Sequence, residues 1–388
     1  MFHYLARGDC AMNILSDSSQ CYGCGACLNI CPTSAISMIT DEEGFSFPFI
    51  DNKKCINCKK CRTVCPRLNV NYSKSSKPEV YGVMASDEIR EVSSSGGAAT
   101  LLSQWVIDEG GIVCGASLNK DFVSVNHIIV NKIEELKKLQ KTKYIQSNIN
   151  DTYTKIKDFF AKDKMVLFVG TPCQVAGLYT FLGNMRDSAK LLTMDLVCHG
   201  VPSPKAWKIF IESDKRFKEI VDVDFRTKRS GGWKGKYDTL IIYKDGTQKI
   251  IKYDENDFAK AFLENNILRK SCFTCQYSHV PRQGDFTIGD FWGIGNYYPE
   301  MNDKKGTSLL LVNSQKAKEI LENAFILKCK RFQKATFEMA YSRNPMLMKN
   351  SWVGKKRNLF LEELSKSNSY DLANQVKNSR TTYDVGII

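Results

Sequence analysis

Eight cysteines near the start of the chain occur in two copies of one spacing, C-x2-C-x2-C-x3-C, and a proline follows each copy. The first copy is Cys21, Cys24, Cys27 and Cys31, and the second is Cys55, Cys58, Cys61 and Cys65. In this pattern three thiolates hold one 4Fe-4S cluster while the fourth reaches the neighbouring cluster. We therefore expect cluster one to use Cys21, Cys24, Cys27 and Cys65, and cluster two to use Cys31, Cys55, Cys58 and Cys61. Electron transfer is the chemistry that the pattern indicates.

Disulfides and zinc are the alternatives for these cysteines. Zinc sites usually need only paired C-x2-C arms, and disulfide scaffolds are typical of small secreted chains. The doubled pattern resembles the bacterial-type 4Fe-4S dicluster ferredoxin domain, which we place at residues 12–72. Because Met12 opens a natural lead into that domain, we expect residues 1–11 to be an over-extended start.

The remaining chain is long enough for a second domain with a sizeable core, because the sequence has 388 residues and 43% of them are apolar. No apolar run approaches the ~18 residues of a membrane span, and the first residues lack the apolar core of a signal peptide. With oxygen-sensitive clusters and fifteen cysteines, this predicts a cytoplasmic protein of an anaerobe.

The formal net charge of +13 favours an acidic redox partner, such as a ferredoxin or a flavodoxin. Nucleic acid is the poorer partner, because no nucleic-acid motif accompanies the scattered lysines. A lysine-rich surface that is merely solvated is the alternative.

A polar, turn-prone stretch at 73–78 separates the ferredoxin-like domain from a pattern of alternating helices and strands. Apolar periodicity predicts helices over 97–109, 150–161 and 174–182, and strands over 112–117, 123–130, 165–169 and 191–197. Ser203-Pro204 is a helix opening, and Asp245-Gly246 marks a hairpin turn. We predict an α/β domain at 79–330 and a helical C-terminal segment at 331–388.

Two turns of the α/β domain are candidate cofactor sites. The SSSGG run at 93–97 directly precedes a predicted helix, and its backbone N–H groups suit a phosphate or a flavin edge, although a helix cap without a ligand is the plainer interpretation. The GTPCQ turn at 170–174 lies at the carboxyl end of an apolar strand, where open α/β sheets bind cofactors. We expect thiolate character for Cys173 in this turn, because a helix N-terminus favours the anion.

Further cysteines raise the question of a third cluster. Cys198 follows a predicted strand, and Cys272 and Cys275 form another C-x2-C pair. Cys173 is the natural fourth ligand, since it also follows a strand of the presumed sheet. The alternatives are His199 in place of Cys173, or a cysteine pair that only packs. Three further cysteines have no other cysteine at the spacing of a metal-binding motif, and we take them as structural: Cys10, Cys114 and Cys329.

Six segments within 82–293 resemble the beta subunits of hydrogenases and dehydrogenases that use the deazaflavin coenzyme F-420. They are SSSGGAATLL, KTKYIQS, LFVGTPCQVAGL, DLVCHGVPSP, FRTK and CFTCQYSHVPRQGDFTIGDFWG. The resemblance implies an FAD-binding α/β domain fed by iron-sulfur clusters, in which the flavin switches between one-electron and two-electron transfer. FAD follows from the resemblance alone.

The resemblance also implies site residues. The flavin contacts that it implies are Ser94, Ser95, Gly96, Gly97, Thr100, Lys143, Tyr144, Gln146, Ser147, Gly170, Thr171 and Pro172. Lys143, Arg226 and Lys228 would meet a phosphate or a substrate carboxylate, with exposed surface lysines as the plainer alternative. Cys114 stands where the family often has aspartate.

The sequence thus predicts an α/β protein with an N-terminal ferredoxin-like α+β dicluster domain, a flavin-binding α/β domain and a helical C-terminal segment. Its expected function is that of an iron-sulfur flavoprotein oxidoreductase. Electrons would pass between a ferredoxin-type donor, the clusters, FAD and a small acceptor, which is a deazaflavin or another molecule. The alternative is a non-catalytic electron-transfer subunit that needs a partner oxidoreductase subunit. His199 is a candidate proton donor near the flavin, with a structural or ligand role as the plainer alternative.

Overall fold

The computed structural model describes residues 13–70, 74–233 and 237–366. The strands are β1 Ile36–Thr40, β2 Ser46–Ile50, β3 Glu79–Met84, β4 Ile112–Leu118, β5 Val125–Val130, β6 Val166–Gly170, β7 Leu191–Leu196, β8 Ile220–Asp224, β9 Thr239–Tyr243, β10 Gln248–Ile251, β11 Phe286–Asp290, β12 Ser308–Val312 and β13 Arg331–Ala335. The α-helices are α1 Ala26–Ile30, α2 Lys60–Thr63, α3 Asp87–Glu91, α4 Ala98–Asp108, α5 Thr152–Ala161, α6 Pro172–Leu182, α7 Pro204–Glu212, α8 Asp257–Leu263, α9 Gln315–Leu321, α10 Phe337–Tyr341 and α11 Arg357–Lys366. Within these ranges no helix has the length and the apolar character that crossing a membrane requires.

An eight-stranded mixed sheet forms the centre of the large domain, with the strand order β13-β3-β12-β11-β7-β6-β4-β5. The four strands β4, β6, β7 and β11 run parallel, and the others pair antiparallel to their neighbours. Nearly all residues of β6 and β7 are buried, as expected for parallel strands that are covered on both faces. The carboxyl ends of these parallel strands meet at one edge of the sheet, which is where such sheets bind ligands.

The fold class is the predicted one: a small N-terminal domain that carries the doubled cysteine pattern precedes a large α/β domain. The helices α4, α5 and α6 lie within two residues of their predicted bounds. Their ends follow from local sequence, because Gly97 opens α4 and Thr171-Pro172 opens α6.

The C-terminal segment contains the helices α10 and α11, but it opens with strand β13, which pairs with β3. The sheet therefore extends past the predicted boundary at residue 330. Because β13 is a half-exposed edge strand with the sequence RFQKA, its apolar pattern is too weak to indicate a strand. The domain bounds stay predictions, and those at residue 12, residue 72 and residue 388 fall outside the described residues.

The N-terminal domain packs directly on the large domain and shares a hydrophobic cluster with it. Tyr22, Ala26 and Val64 lie in one buried cluster with Val175 and Leu178 of α6. Across this contact the Thr180 hydroxyl donates to the carbonyl of Val64 at 2.7 Å. The polar stretch between the domains is thus not the only connection between them.

Gly96 packs where the chain crosses from β3 to α4, and no side chain fits there. A Cβ atom at this position would lie 2.1 Å from the carbonyl oxygen of Val83 and 2.3 Å from the backbone nitrogen of Ser308. Both are backbone atoms of the central sheet, so they cannot move aside as a side chain could.

Gly96→Ala is expected to lower the apparent Tm by about 5 to 10 °C. Overpacking of this kind costs about 1–3 kcal/mol or more of unfolding free energy, and each kcal/mol lowers the Tm of a domain of this size by about 2 to 4 °C. Gly115→Ala is the matched control, because its Cβ would meet only the flexible side chain of Leu139, at 3.5 Å. Thermal unfolding of both variants under anaerobic conditions measures the effect. Equal Tm values for the two variants would contradict the packing argument.

Candidate functional site

The eight cysteines of the N-terminal domain line two cavities. One cavity is lined by Cys21, Cys24, Cys27 and Cys65, and the other by Cys31, Cys55, Cys58 and Cys61. Each cavity therefore takes three cysteines from one copy of the spacing and one from the other copy. This is the exchange that the spacing predicts, and the assignment of ligands to cluster one and cluster two stays a prediction that this arrangement supports.

The thiols of each cavity lie close enough to raise one another's pKa. Burial raises the pKa of Cys24 well above its usual value, and repulsion from the other three thiols of its cavity adds to the shift. Burial also raises the pKa of Cys61, with repulsion from Cys58 and Cys55. Sulfurs that crowd in this way are stabilised when metal replaces their protons.

The structure argues against the two alternatives for these cysteines. All fourteen cysteines in the described ranges are free thiols, so none of them forms a disulfide. A zinc ion would draw its ligands to about 2.3 Å. In the described part of the chain no three His, Cys, Asp or Glu side chains converge closely enough to hold one metal ion. Four cysteines around each of two cavities, three from one copy of the spacing and one from the other, form the ligand arrangement of a pair of 4Fe-4S clusters.

Cys173, Cys198, Cys272 and Cys275 form a third group at the carboxyl edge of the sheet. Cys173 lies in the first turn of α6, and Cys198 follows β7. Burial raises the pKa of Cys173 to about 12, and repulsion from Cys275 and Cys198 contributes to this. The pKa of Cys272 is raised to about 12 in the same way, by burial and then by repulsion from Cys275 and Cys173. The structure thus brings together all four residues of the predicted third cluster.

The expected thiolate character of Cys173 is wrong for the free thiol. The helix N-terminus of α6 favours the anion, but burial favours the neutral form and has the larger effect on the pKa. A protein–metal bond would supply the charge compensation that the free thiol lacks.

His199 is less suited than Cys173 to complete this group. Its ring packs edge-on against Phe262, with the ring centroids 5.1 Å apart. Burial lowers the pKa of His199 below its usual value, and no cysteine contributes to that shift. Cys173, in contrast, interacts electrostatically with both Cys275 and Cys198.

The third group adjoins cluster one. Tyr22, next to Cys21, donates a hydrogen bond from its hydroxyl to Oε1 of Gln276 at 3.0 Å, and Gln276 is next to Cys275. From the other side, helix α6 reaches Cys24 at Gly177, where a Cβ atom would lie 3.0 Å from the Cys24 sulfur. These contacts connect the third cysteine group to the cavity that Cys21 and Cys24 line.

Arg269 lies buried between the two groups, with 1% of its surface exposed. Its Nε donates to the carbonyl of Cys21 at 2.7 Å, and its Nη2 donates to the carbonyl of Ser46 at 3.0 Å. The guanidinium also packs over the ring of Phe47, 4.3 Å from its centroid. Sequence reasoning missed this residue, whose only signal is a lone arginine three positions before Cys272.

The SSSGG turn contacts the stretch at 141–147. The backbone N–H of Thr142 donates to Oγ of Ser94 at 2.8 Å. The hydroxyl of Ser95 donates to the carbonyl of Thr307 at 3.0 Å. Gly97 precedes α4 with a φ of +87°, and Thr100 is buried in the first turn of that helix.

Lys143 and Tyr144 follow directly. The Lys143 ammonium donates to the backbone carbonyl of Gln140 at 2.6 Å, and burial lowers its pKa to about 7. The ring of Tyr144 packs against Phe262 at 4.9 Å and Tyr237 at 5.9 Å between centroids. Lys143 therefore changes charge near neutral pH, and an anion beside it would favour the charged form.

The GTPCQ turn is tied to the same stretch. The amide of Gln174 donates to the carbonyl of Ser147 at 3.0 Å, and its Oε1 accepts from the backbone N–H of Thr171 at 3.0 Å. The amide of Gln146 instead contacts the N-terminal domain: it donates to the carbonyl of Tyr22 at 2.7 Å. Gly170 and Pro172 complete this turn, with Pro172 buried at the start of α6.

The twelve residues implied as flavin contacts thus lie in the SSSGG turn with the first turn of α4, in the stretch 141–147, and in the GTPCQ turn, and the stretch contacts both turns. Their role as flavin contacts stays a prediction. Two of these residues have structural surroundings that compete with that role: Gln146 contacts the N-terminal domain, and Gly96 has no free space around it.

Arg226 is paired, so it is not a free partner for an anion. Its two Nη atoms bind both carboxylate oxygens of Asp290, at 2.7 and 2.9 Å. The indole N–H of Trp233 donates to the same carboxylate at 2.6 Å. Lys228 donates to the backbone carbonyls of Arg90 and Lys305, and burial lowers its pKa to about 8.

Two family models match separate parts of the chain. Residues 163–336 match the family model for the C terminus of the coenzyme F420 hydrogenase/dehydrogenase beta subunit, and residues 20–69 match a 4Fe-4S dicluster domain. Among solved structures, one chain of the F420-reducing NiFe hydrogenase complex from Methanosarcina barkeri is 18% identical, with a TM-score of 0.47 over 78% of this chain and 92% of that chain. No curated protein matches the sequence.

Proposed function

Because residues 163–336 match the coenzyme F420 hydrogenase/dehydrogenase beta-subunit family and residues 20–69 match a 4Fe-4S dicluster domain, we propose that this protein is an iron-sulfur flavoprotein oxidoreductase. It passes electrons between a ferredoxin-type donor and a small acceptor, a deazaflavin or another molecule. The route uses two clusters in the N-terminal domain, a third cluster at the sheet edge and FAD.

The observation that carries this proposal is the position of the third cysteine group. The group lies at the carboxyl edge of the parallel strands and is linked to cluster one through Tyr22 and Gln276. A cysteine group at this place is useful if electrons continue from the N-terminal domain into the large domain. An isolated electron carrier would need no such group.

The large domain offers FAD a site at the same edge. The α4 N-terminus after Gly97 favours a negative group, and Lys143 supplies a nearby amine that becomes positive as the pH falls through about 7. When bound, the clusters and FAD supply the one-electron and two-electron chemistry. The residues of this chain bind and orient them, and the half-buried ring of Tyr144 and the buried Thr100 limit the access of water.

The alternative is an electron-transfer subunit that turns over nothing without a partner subunit. One observation favours it: the side chains of Trp352 and Val353 are 61% and 58% exposed. They follow Ser351, whose hydroxyl donates to the carbonyl of His199, beside Cys198. A partner subunit that covers this segment would lie close to the third cysteine group.

Anaerobically purified and reconstituted protein is expected to contain about twelve irons, about twelve acid-labile sulfides and one FAD per chain, which corresponds to three 4Fe-4S clusters. Iron, sulfide and released flavin are the measured quantities. About eight irons with FAD would remove the third cluster from the proposal. About eight irons without FAD would favour the electron-transfer subunit. If small acceptors reoxidise the reduced protein without any partner, that result argues against the subunit.

A further inference from the structure

Cluster two lies at the outer end of the cysteine series. Among its ligands, Cys58 is exposed and Cys31 and Cys55 are half-buried. Cluster one is the inner member, because Cys24 is buried against α6. A protein that exchanges electrons with this chain from outside thus comes closest at cluster two.

The surface around cluster two is strongly cationic. Residues 51–67 contain six lysines and arginines and a single acidic residue, Asp51. The cationic rim comprises four exposed lysines of this segment, Lys53, Lys54, Lys59 and Lys60. Two of them, Lys59 and Lys60, line the cavity of cluster two themselves.

The charges of the cationic rim are almost unpaired. Lys54 has one long ion pair with Asp51, at 3.8 Å and with both side chains exposed. Across the described ranges, Lys53, Lys59 and Lys60 form no ion pair. Most other lysine ion pairs have a shorter distance between nitrogen and carboxylate oxygen than the pair of Lys54 and Asp51; Lys318 and Glu79, for example, are 2.6 Å apart. The field of the cationic rim is therefore directed at solvent.

An apolar side chain lies within the cationic rim. Ile56 is 62% exposed and lines the same cavity as Lys59 and Lys60. An apolar centre inside a charged border is the composition of a protein interface. Electron-transfer encounters use small interfaces of this type, below about 1,200 Å².

We propose that the cationic rim is the docking surface for an acidic electron-carrier protein, which comes within reach of cluster two over Ile56. The inference rests on the proposed function and adds to it the place and the charge of the partner. The carrier is oxidised by one electron and the dicluster domain is reduced by one, so no bond forms or breaks. Charge attraction steers the encounter and weakens as salt is added.

Binding provides the first test, and it needs no turnover. The oxidised holoprotein is titrated calorimetrically with an oxidised acidic 4Fe-4S ferredoxin at 50 mM and 300 mM salt. The double substitution Lys53→Glu with Lys60→Glu is expected to raise Kd at least tenfold at low salt. The matched control is Lys215→Glu with Lys218→Glu, which reverses two exposed charges after α7 and should leave Kd within twofold.

A probe of opposite charge separates docking from damage to the clusters. The Lys53→Glu with Lys60→Glu variant is expected to slow oxidation of the reduced ferredoxin about tenfold and to speed the reduction of a cationic c-type cytochrome. A variant with a damaged cluster would be slow with both probes and low in iron. If that happens, Lys53→Gln with Lys60→Gln removes the two charges without reversing them and repeats the test.

The outcomes distinguish this inference from the proposed function. Equal ferredoxin affinities for the two double variants would overturn the docking surface, as would iron-loaded protein that binds no ferredoxin at low salt. Neither result would affect the iron and flavin contents on which the proposed function depends. Protein without iron-sulfur clusters would overturn the proposed function first, and the iron assay shows that independently of any partner.

Discussion

Cys275→Ser is expected to lower the iron content by about four atoms per chain and to leave the eight irons of the N-terminal domain in place. Serine keeps the size of the side chain but lacks the sulfur that a cluster needs. The thiol of Cys275 interacts electrostatically with those of Cys173 and Cys272, so the substitution removes one of the four expected ligands of the third cluster. Iron and sulfide analysis, with electron paramagnetic resonance of the dithionite-reduced protein, measures the change.

Cys329→Ser is the matched control for this prediction. Cys329 is half-buried, and burial alone raises the pKa of its thiol to about 12, with no neighbouring cysteine involved. The control should therefore keep the full iron content. Equal iron contents for Cys275→Ser and wild type would remove the third cluster, and an equal loss in Cys329→Ser would show that general instability causes the effect.

The assignment of the eight N-terminal cysteines to two groups of four could be predicted from sequence, because their spacing is local. Within each copy two or three residues separate consecutive cysteines, so chain geometry keeps the first three together, and the fourth follows the exchange that the doubled pattern implies. The third group is different, because Cys173, Cys198 and Cys275 are far apart in sequence. It could be anticipated only through the rule that parallel strands bring their carboxyl ends to one edge.

The contacts between the two domains could not be predicted. Arg269 lies in no motif, and the segment that contains Gln146 indicated a flavin contact and not a contact between domains; their partners Cys21 and Tyr22 lie more than a hundred residues away. Periodicity likewise gives no signal for β13, whose pairing with β3 depends on a long-range match. The prediction that Cys173 is a thiolate was wrong for a related reason, because the sequence shows where the helix begins but not how deeply the thiol is buried.

Arg269→Met is expected to lower the reduction potential of a neighbouring cluster by about 30–60 mV, where about 60 mV corresponds to a tenfold change for one electron. Reduction adds negative charge to a cluster, and a buried cation nearby stabilises that charge. Arg269 contacts the Cys21 carbonyl directly and interacts electrostatically with Cys173 and Cys272. A redox titration followed by electron paramagnetic resonance measures the shift.

Two further variants separate the charge of Arg269 from its geometry. Arg269→Lys keeps the charge but cannot reach all three acceptors of the guanidinium, which are the carbonyls of Cys21 and Ser46 and Oε1 of Gln146. The potential should therefore change little while the apparent Tm falls. Each buried carbonyl that loses its donor costs about 1–3 kcal/mol. If Arg269→Lys and Arg269→Met shift the potential equally, the geometry of the contact and not the charge sets the potential.

Arg216→Met completes the comparison by removing an arginine that lies at the surface. Arg216 pairs with Glu219 and Asp245, and all three side chains are more than a third exposed. Solvent screens such a pair, so its removal should change neither the cluster potential nor the Tm by much. A potential shift in Arg216→Met as large as that in Arg269→Met would mean that overall charge, not the buried position of Arg269 between the two cysteine groups, controls the potential.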